Sequence, residues 1–347
     1  MIVRGKTLRL LTAALGAALV VGACAPEDDA SGSTEGGDLS GEINISGSST
    51  VEPITSLVAE EFSGINGGVD ISVDGPGTSD GFELFCKGDI DIADASRALE
   101  EEEIQACEDA GIEFIELKIA IDGLSVVTNA DNEEIECLDF YDLYALLGPE
   151  SEGFENWSDA NQLGEEIGAA HTPYPDAPLD VTAPGEESGT YDSFGEIVLE
   201  GIAYDERDIL DDAPVIRPDY QSSGDDNVII QGIQGSDSSL GWVGFAFYTN
   251  NEDTVRALPL AEKGDDCVEP TVETIQDGSY PISRPLFFYV NAESAEDPAI
   301  EAFVDYYLSD EGLAAVSATG YVEQTDEVIE TARSLWADRT TGSQEEV

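Results

Sequence analysis

Glu42-Ile43-Asn44-Ile45-Ser46-Gly47-Ser48-Ser49-Thr50-Val51-Glu52-Pro53-Ile54 carries three structural signals in one short stretch. Residues 42–45 alternate polar and apolar side chains, the period of a strand with one buried face. Gly47-Ser48-Ser49-Thr50 reads as a turn. Pro53 suits a first helical turn, and Ile54, Leu57, Val58 and Phe62 recur at helical spacing. Strand, hydroxyl-rich turn and helix in succession predict an α/β architecture with helix N-termini at strand ends.

The same pattern extends outward. Residues 69–73 read as a strand, Gly75-Pro76-Gly77-Thr78-Ser79-Asp80-Gly81 as a turn, and Phe82 with Phe85 as the buried side of a short helix. Asp91-Ile92-Ala93 is a third strand. Further on, residues 124–128 and 179–182 are predicted strands and residues 140–147 a helix. Gly185-Glu186-Glu187-Ser188-Gly189-Thr190 opens a helix whose Phe194, Ile197, Val198 and Gly201 are expected to share one face. Residues 285–290 form a strand, and Ile300, Phe303, Val304 and Tyr307 mark a long helix. No repeat of fixed period occurs.

Three of these turns precede helices and carry hydroxyls: Ser48-Ser49-Thr50, Thr78-Ser79 and Ser188-Gly189-Thr190. Backbone N–H groups at a helix start are unpaired and point outward, hydroxyls add donors, and glycine allows close approach. One such turn is an ordinary helix cap. Three together, in a chain this acidic, point to a device for holding an anion.

The acidity is extreme. Against 75 acidic residues stand 13 basic ones, a net charge of −62. The acids are spread along the chain and the apolar content, 41%, is ordinary, so the chain folds and its surface is acidic. Salt at 1 M screens such charge within about 3 Å, the setting of a halophile's extracellular protein. With no basic patch to neutralise phosphodiesters, nucleic acid is excluded as a partner.

Arg4, Lys6 and Arg9 precede an apolar run over residues 10–20 that is too short to span a bilayer. The run ends at Val21-Gly22-Ala23-Cys24, which resembles the lipobox of bacterial lipoproteins. This gives a signal peptide over 1–23, a lipidated Cys24 and a polar tether over 24–41. Four cysteines remain in an oxidising compartment and can pair in three ways. Cys86 with Cys107 and Cys137 with Cys267 is the favoured pairing; with no CxxC, zinc is the weaker reading, and neither metal nor cofactor is expected.

Ile45-Ser46-Gly47-Ser48-Ser49-Thr50-Val51, Gly81-Phe82 with Phe85, Asp91-Ile92-Ala93-Asp94-Ala95-Ser96-Arg97, Glu187-Ser188-Gly189-Thr190 with Phe194, Leu240-Gly241-Trp242-Val243-Gly244 and Tyr280-Pro281-Ile282-Ser283-Arg284-Pro285-Leu286 occur in this order. From about residue 43 to 335 the chain resembles the phosphate-binding proteins of ABC transporters, the PstS-like family. The resemblance implies a two-lobed periplasmic-binding-protein fold of the type II, Venus-flytrap kind. Residues 42–122 and 284–335 would form lobe I, 123–283 lobe II and 336–347 a C-terminal tail, with phosphate in the interlobe cleft. It further implies a monomer that delivers phosphate to permease subunits.

By the same resemblance, Thr50 would give its hydroxyl, Val51 its backbone N–H and Thr78 a hydroxyl. Ser188, Gly189 and Thr190 would give hydroxyl and backbone donors. Two departures matter. Ser96 stands where many members have an aspartate that accepts the phosphate proton, leaving Ser96, Asp94 and Asp80 as acceptors. Pro184 stands where many have an arginine, a charge that the neighbouring Arg97 is expected to replace. Arg284 is read as a hinge or interlobe ion pair. Ser222, Ser223, Asp225 and Asn227 form a polar turn that lines the cleft or caps a helix.

A binding protein for sulfate or molybdate would use the same turns without a proton acceptor, and is the alternative. An enzyme is disfavoured. His171 is the single histidine and sits in a Pro-rich loop that reads as solvated surface, and neither GxSxG nor GxxxxGK[ST] occurs.

Overall fold

In the computed structural model, the described residues are 39–344 except 187, 211 and 212. The signal peptide, Cys24 and nearly all of the tether lie outside them. The chain enters through β1 (Gly41–Gly47), one residue earlier than the sequence suggests, and Leu39 already packs on the core. There follow α1 (Glu52–Ile65), β2 (Val69–Asp74), α2 (Thr78–Cys86), β3 (Ile92–Ala95) and α3 (Glu101–Ala110). Parallel pairing of β1 with both β2 and β3 fixes the helix starts at one edge of this sheet.

β4 (Phe114–Asn129) is longer than the strand predicted at 124–128 and serves two sheets. After it come β5 (Leu138–Asp139), α4 (Phe140–Leu147), α5 (Asn161–Ile167), β6 (Thr182–Ala183) and α6 (Gly189–Phe194). The next elements are β7 (Gln221–Ser222), α7 (Asp226–Gln234), β8 (Gly241–Gly244), α8 (Phe245–Thr249), β9 (Val255–Ala257), β10 (Leu260–Ala261) and α9 (Val272–Gln276). The chain returns through β11 (Ser283–Asn291), α10 (Pro298–Tyr307), α11 (Asp310–Ala318), β12 (Val322–Glu323) and α12 (Asp326–Ala337).

Antiparallel to β11, β4 pairs from Phe114 to Gly123; from Leu124 onward it pairs with β8 and β9. One continuous strand therefore runs from one lobe into the other, with β11 beside it at the crossing. The two-lobed α/β fold follows from this.

Each lobe has its own apolar filling. Ile45, Val58, Phe62, Leu117, Phe288 and Phe303 are buried together in one lobe, and on the other face of its sheet Phe82, Phe85 and Tyr289 form a second group. In the other lobe Tyr144, Trp157, Phe194, Trp242 and Tyr280 are buried in one cluster. Disulfides join Cys86 to Cys107 and Cys137 to Cys267. The stretch set aside as a tail is held: Trp336 is buried and Gly342 bridges to Ile115. Among the described residues no helix is long and apolar enough to cross a membrane.

The helix begun by α6 departs from its predicted face. Its continuation over Gly195–Leu199 and Gly201–Glu206 is wound in the wider π form, with bonds reaching five residues back. The buried side consequently moves to Phe194, Val198, Leu199, Ile202 and Ala203, while Gly201 is exposed. Phe194 anchors this helix by stacking on Trp242, ring centroids 4.2 Å apart. Phe194→Ala is expected to cost about 3–5 kcal/mol, as for other buried aromatic truncations. A urea titration checks it: the midpoint should fall with the slope unchanged.

Candidate functional site

The first donor turn is built around Gly47, whose φ of +147° lies in a region L side chains rarely adopt. A Cβ there would sit 2.0 Å from the Asp94 carbonyl oxygen. Ser48 N–H donates to that same oxygen at 2.9 Å. Inside the turn, Thr50 N–H donates to Ser48 Oγ at 3.2 Å and Val51 N–H to the Ser48 carbonyl at 3.1 Å. Ser48, Thr50 and Val51 are all buried.

The second turn is tied to the first, because Gly77 N–H donates to the Gly47 carbonyl at 2.8 Å. Thr78 opens α2, and its Oγ1 accepts from Ser96 N–H at 3.2 Å and lies 3.0 Å from Ser96 Oγ. Thr78 and Ser96 therefore form one hydroxyl pair at the ends of α2 and β3. Arg97, next in sequence, is committed elsewhere. Its guanidinium makes two bonds to Glu103, at 2.7 and 2.8 Å, and one to Ser79 Oγ at 3.0 Å, over the Phe82 ring. Glu103 bonding raises the Arg97 pKa further. The expected replacement for the missing arginine thus sits at the second turn as half of an ion pair.

The third turn belongs to the other lobe. Ser188 caps α6, its Oγ accepting from Thr190 N–H at 3.2 Å. A Cβ on Gly189 would lie 3.1 Å from the Ser49 carbonyl oxygen and 3.2 Å from Thr50 Cα. The third turn therefore lies directly on the first. The contact continues along α6: Ser49 Oγ–H donates to Asp192 Oδ2 at 2.7 Å, and the hydroxyls of Thr50 and Ser193 are 3.1 Å apart.

Arg284 completes this seam. Nη1 donates to Glu196 Oε2 at 2.5 Å and Nη2 to Ser193 Oγ at 3.0 Å, and Nε is 3.7 Å from Asp122 Oδ2. One guanidinium at the strand crossing thus reaches both lobes. Burial pushes the Asp122 and Asp192 carboxyls above the ordinary range, and Arg284 opposes this at both.

The other residues considered fall away from the seam. Asp225 caps α7, accepting from Asn227 N–H, and Ser223 Oγ accepts from Asp225 N–H; this polar turn caps a helix. Asp80 is exposed. Asp94 lies beneath α1, where Thr55 Oγ1 donates to its Oδ1 at 3.0 Å and also meets the Tyr307 hydroxyl. Sequence reasoning missed Asp192, Ser193, Glu196 and Glu103. Their only signal was position, Asp192, Ser193 and Glu196 following Ser188 along one helix, hidden in a chain where acids are everywhere.

Compared with known proteins, the chain matches a PBP superfamily domain model over residues 32–311. It is 38% identical over 288 residues to a protein named SphX from Synechocystis, covering 82% of this chain and 79% of that one. It is 35% identical over 312 residues to the phosphate-binding protein PstS of Staphylococcus aureus, covering 90% and 86%. A crystal structure described as a possible phosphate binding protein from Planctomyces limnophilus aligns with TM-score 0.78 and 34% identity, over 87% of this chain and 99% of that one.

Asp94 offers a test of the scaffold under the first turn. It is 1% exposed, and burial pushes its pKa from 3.8 up to about 8. The folded protein then holds a proton that the unfolded chain releases, so the stability contributed here falls as pH rises between about 4 and 8. Asp94→Asn keeps the shape and removes the titration. Urea midpoints of the unaltered protein should decline relative to the variant from pH 5 to pH 8; a constant difference would show that Asp94 is ionised throughout.

Proposed function

The chain belongs to the PstS-like phosphate-binding proteins of the PBP superfamily, and on that premise we propose that it captures inorganic phosphate between its lobes for an ABC importer. The observation that carries this reading is the meeting of the Ser188-Gly189-Thr190 turn of one lobe with the Ser48-Ser49-Thr50 turn of the other. Donors from both lobes converge only when the lobes meet. A ligand that bonds to both then favours the closed form by its differential contacts.

In this reading Thr50, Val51, Thr78, Ser96, Ser188, Gly189 and Thr190 supply neutral donors, Arg97, already paired with Glu103, adds a weakened positive charge at the second turn, and Arg284 is the interlobe ion pair. Residues 42–122 and 284–335 act as lobe I and 123–283 as lobe II. Cys24 carries the lipid that holds a monomeric binding protein outside the membrane, where it meets its permease. The role is binding and delivery; no bond is made or broken.

Ser96, in place of an acceptor carboxylate, makes sulfate the competitor to test. Calorimetry of the protein from Gly41 onward, in high salt, is expected to show one phosphate bound and no response to sulfate. Micromolar affinity corresponds to roughly −8 kcal/mol, within reach of several charge-assisted bonds in a dry cleft. Sulfate binding would move the function to another oxyanion, and silence for both would remove the transport reading. Gly189→Val should weaken phosphate binding about tenfold or more, a loss of roughly 1.4 kcal/mol, because its side chain wedges the seam open.

The acidic surface adds a second expectation. With net charge −62, thermal midpoint and phosphate affinity should both rise from 50 mM to 2 M NaCl. Equal values at the two salt concentrations would refute the halophilic reading.

A further inference from the structure

A second cluster of chemically capable side chains lies in the lobe that carries α6. Pairing of β5 with β10, Leu138 opposite Leu260 and Asp139 opposite Ala261, brings Cys137 and Cys267 to a Cα separation of 6.3 Å. The loop after α5 places His171 beside them. A ring nitrogen of His171 and the two sulfurs all lie within 4.8 Å of one another.

The imidazole is held. Its Nδ1 is 2.5 Å from Asp142 Oδ2, and its backbone N–H donates to Oδ1 at 3.2 Å. Asp142 is itself immobile: its side chain is fully buried, it takes the Tyr174 hydroxyl at 2.8 Å, and it forms a reciprocal cap with Asp139. A neutral imidazole that donates its Nδ1–H to this carboxylate leaves the Nε2 lone pair for a metal, the arrangement by which proteins orient metal-binding histidines. Cys137 is half-buried while Cys267 and His171 are exposed, so reductant and ion both have access. At the other disulfide, Cys107 is completely buried and Cys86 nearly so.

We propose that reduction of the Cys137–Cys267 disulfide opens a Cys2His site for a zinc-class divalent ion, with His171 as third ligand and water as fourth. A dithiol reductant converts the disulfide to two thiols and is itself oxidised to a disulfide. Metal binding then releases the two thiol protons and forms two metal–thiolate bonds and one metal–imidazole bond. Once parted, the sulfurs need stand only about 3.8 Å apart, the edge of a tetrahedron with roughly 2.3 Å metal–sulfur bonds. Thiolate and imidazole together suit zinc and its cobalt surrogate rather than calcium or magnesium. Asp142 is a positioning residue in this scheme.

The test is a Co2+ titration of the mature protein before and after treatment with a phosphine reductant. About one Co2+ per chain is expected after reduction only, with thiolate-to-cobalt charge transfer and tetrahedral d–d absorption, both displaced by Zn2+. Cys137→Ser should abolish the charge-transfer band. His171→Ala should weaken binding more than about tenfold, His171→Cys should restore it, and Asp142→Asn should weaken it about tenfold at unchanged stoichiometry. Circular dichroism verifies that each variant is folded. No charge-transfer band in the reduced protein, or equal affinity in the His171→Ala protein, would overturn the proposal; so would a band that survives Cys137→Ser.

Discussion

Gly47 and Gly81 meet where neither can carry a side chain: a Cβ on Gly81 would lie 2.4 Å from Gly47 Cα, and one on Gly47 would overlap the Asp94 carbonyl. Three backbones converge at this point, the end of β1, the end of β3 and the first turn of α2. The Gly77 to Gly47 hydrogen bond fixes the second donor turn to the first, and the Ser48 to Asp94 bond fixes the first to β3. Because interiors are close-packed, one added methyl here would displace both turns together. The position of α1, the burial of Asp94 under it and the surface offered to the opposite lobe all depend on this approach.

Much of this scaffold could be read from the residues. The alternation at 42–45, the glycines of the turns and the helical spacing of Ile54, Leu57, Val58 and Phe62 are local signals, and local signals survive folding. What escaped was set by tertiary contact. The π winding after Phe194 changes the period of a helix without changing its composition, so Gly201 is turned to solvent. The charge of Arg97 is legible in the sequence, but its partner Glu103, in the first turn of α3, is brought to it only by the fold. Asp192 and Glu196 could not be distinguished from the other acids until the seam placed them opposite Ser49 and Arg284.

The arginines show how an acid surplus governs such a protein. Arg97, Arg207, Arg217, Arg284, Arg333 and Arg339 each pair with one or more carboxylates, and Arg256 donates to the carbonyls of Asn132 and Ile135. Where such a pair is exposed, as between Arg333 and Glu330, it contributes only about 0–1 kcal/mol. Their larger effect is on the anion. A guanidinium already held by carboxylates gives little net charge, so in the proposed reading recognition of the oxyanion rests mainly on hydroxyls and backbone N–H groups at helix starts. Such donors bring no carboxylate partner of their own that the anion must displace.

Closure of the seam has contributions of both signs before any ligand is counted. Ser49–Asp192, Thr50–Ser193 and Arg284–Glu196 bridge the lobes and favour contact. Against them, contact buries Asp122 and Asp192, and burial raises both carboxyls, which means that their charged forms oppose it. Arg284 stands where it offsets that cost at both residues. The contacts that close the seam are thus opposed by the burial of two carboxyls. Moving such an equilibrium from one part in a hundred to near completion takes about 5.5 kcal/mol of differential binding. A few hydrogen bonds made to both turns at once can supply that, whereas the same bonds made to one lobe would shift nothing. In the proposed reading, selectivity among oxyanions falls to the turns, while Arg284, bonded to Glu196 and Ser193, acts on closure.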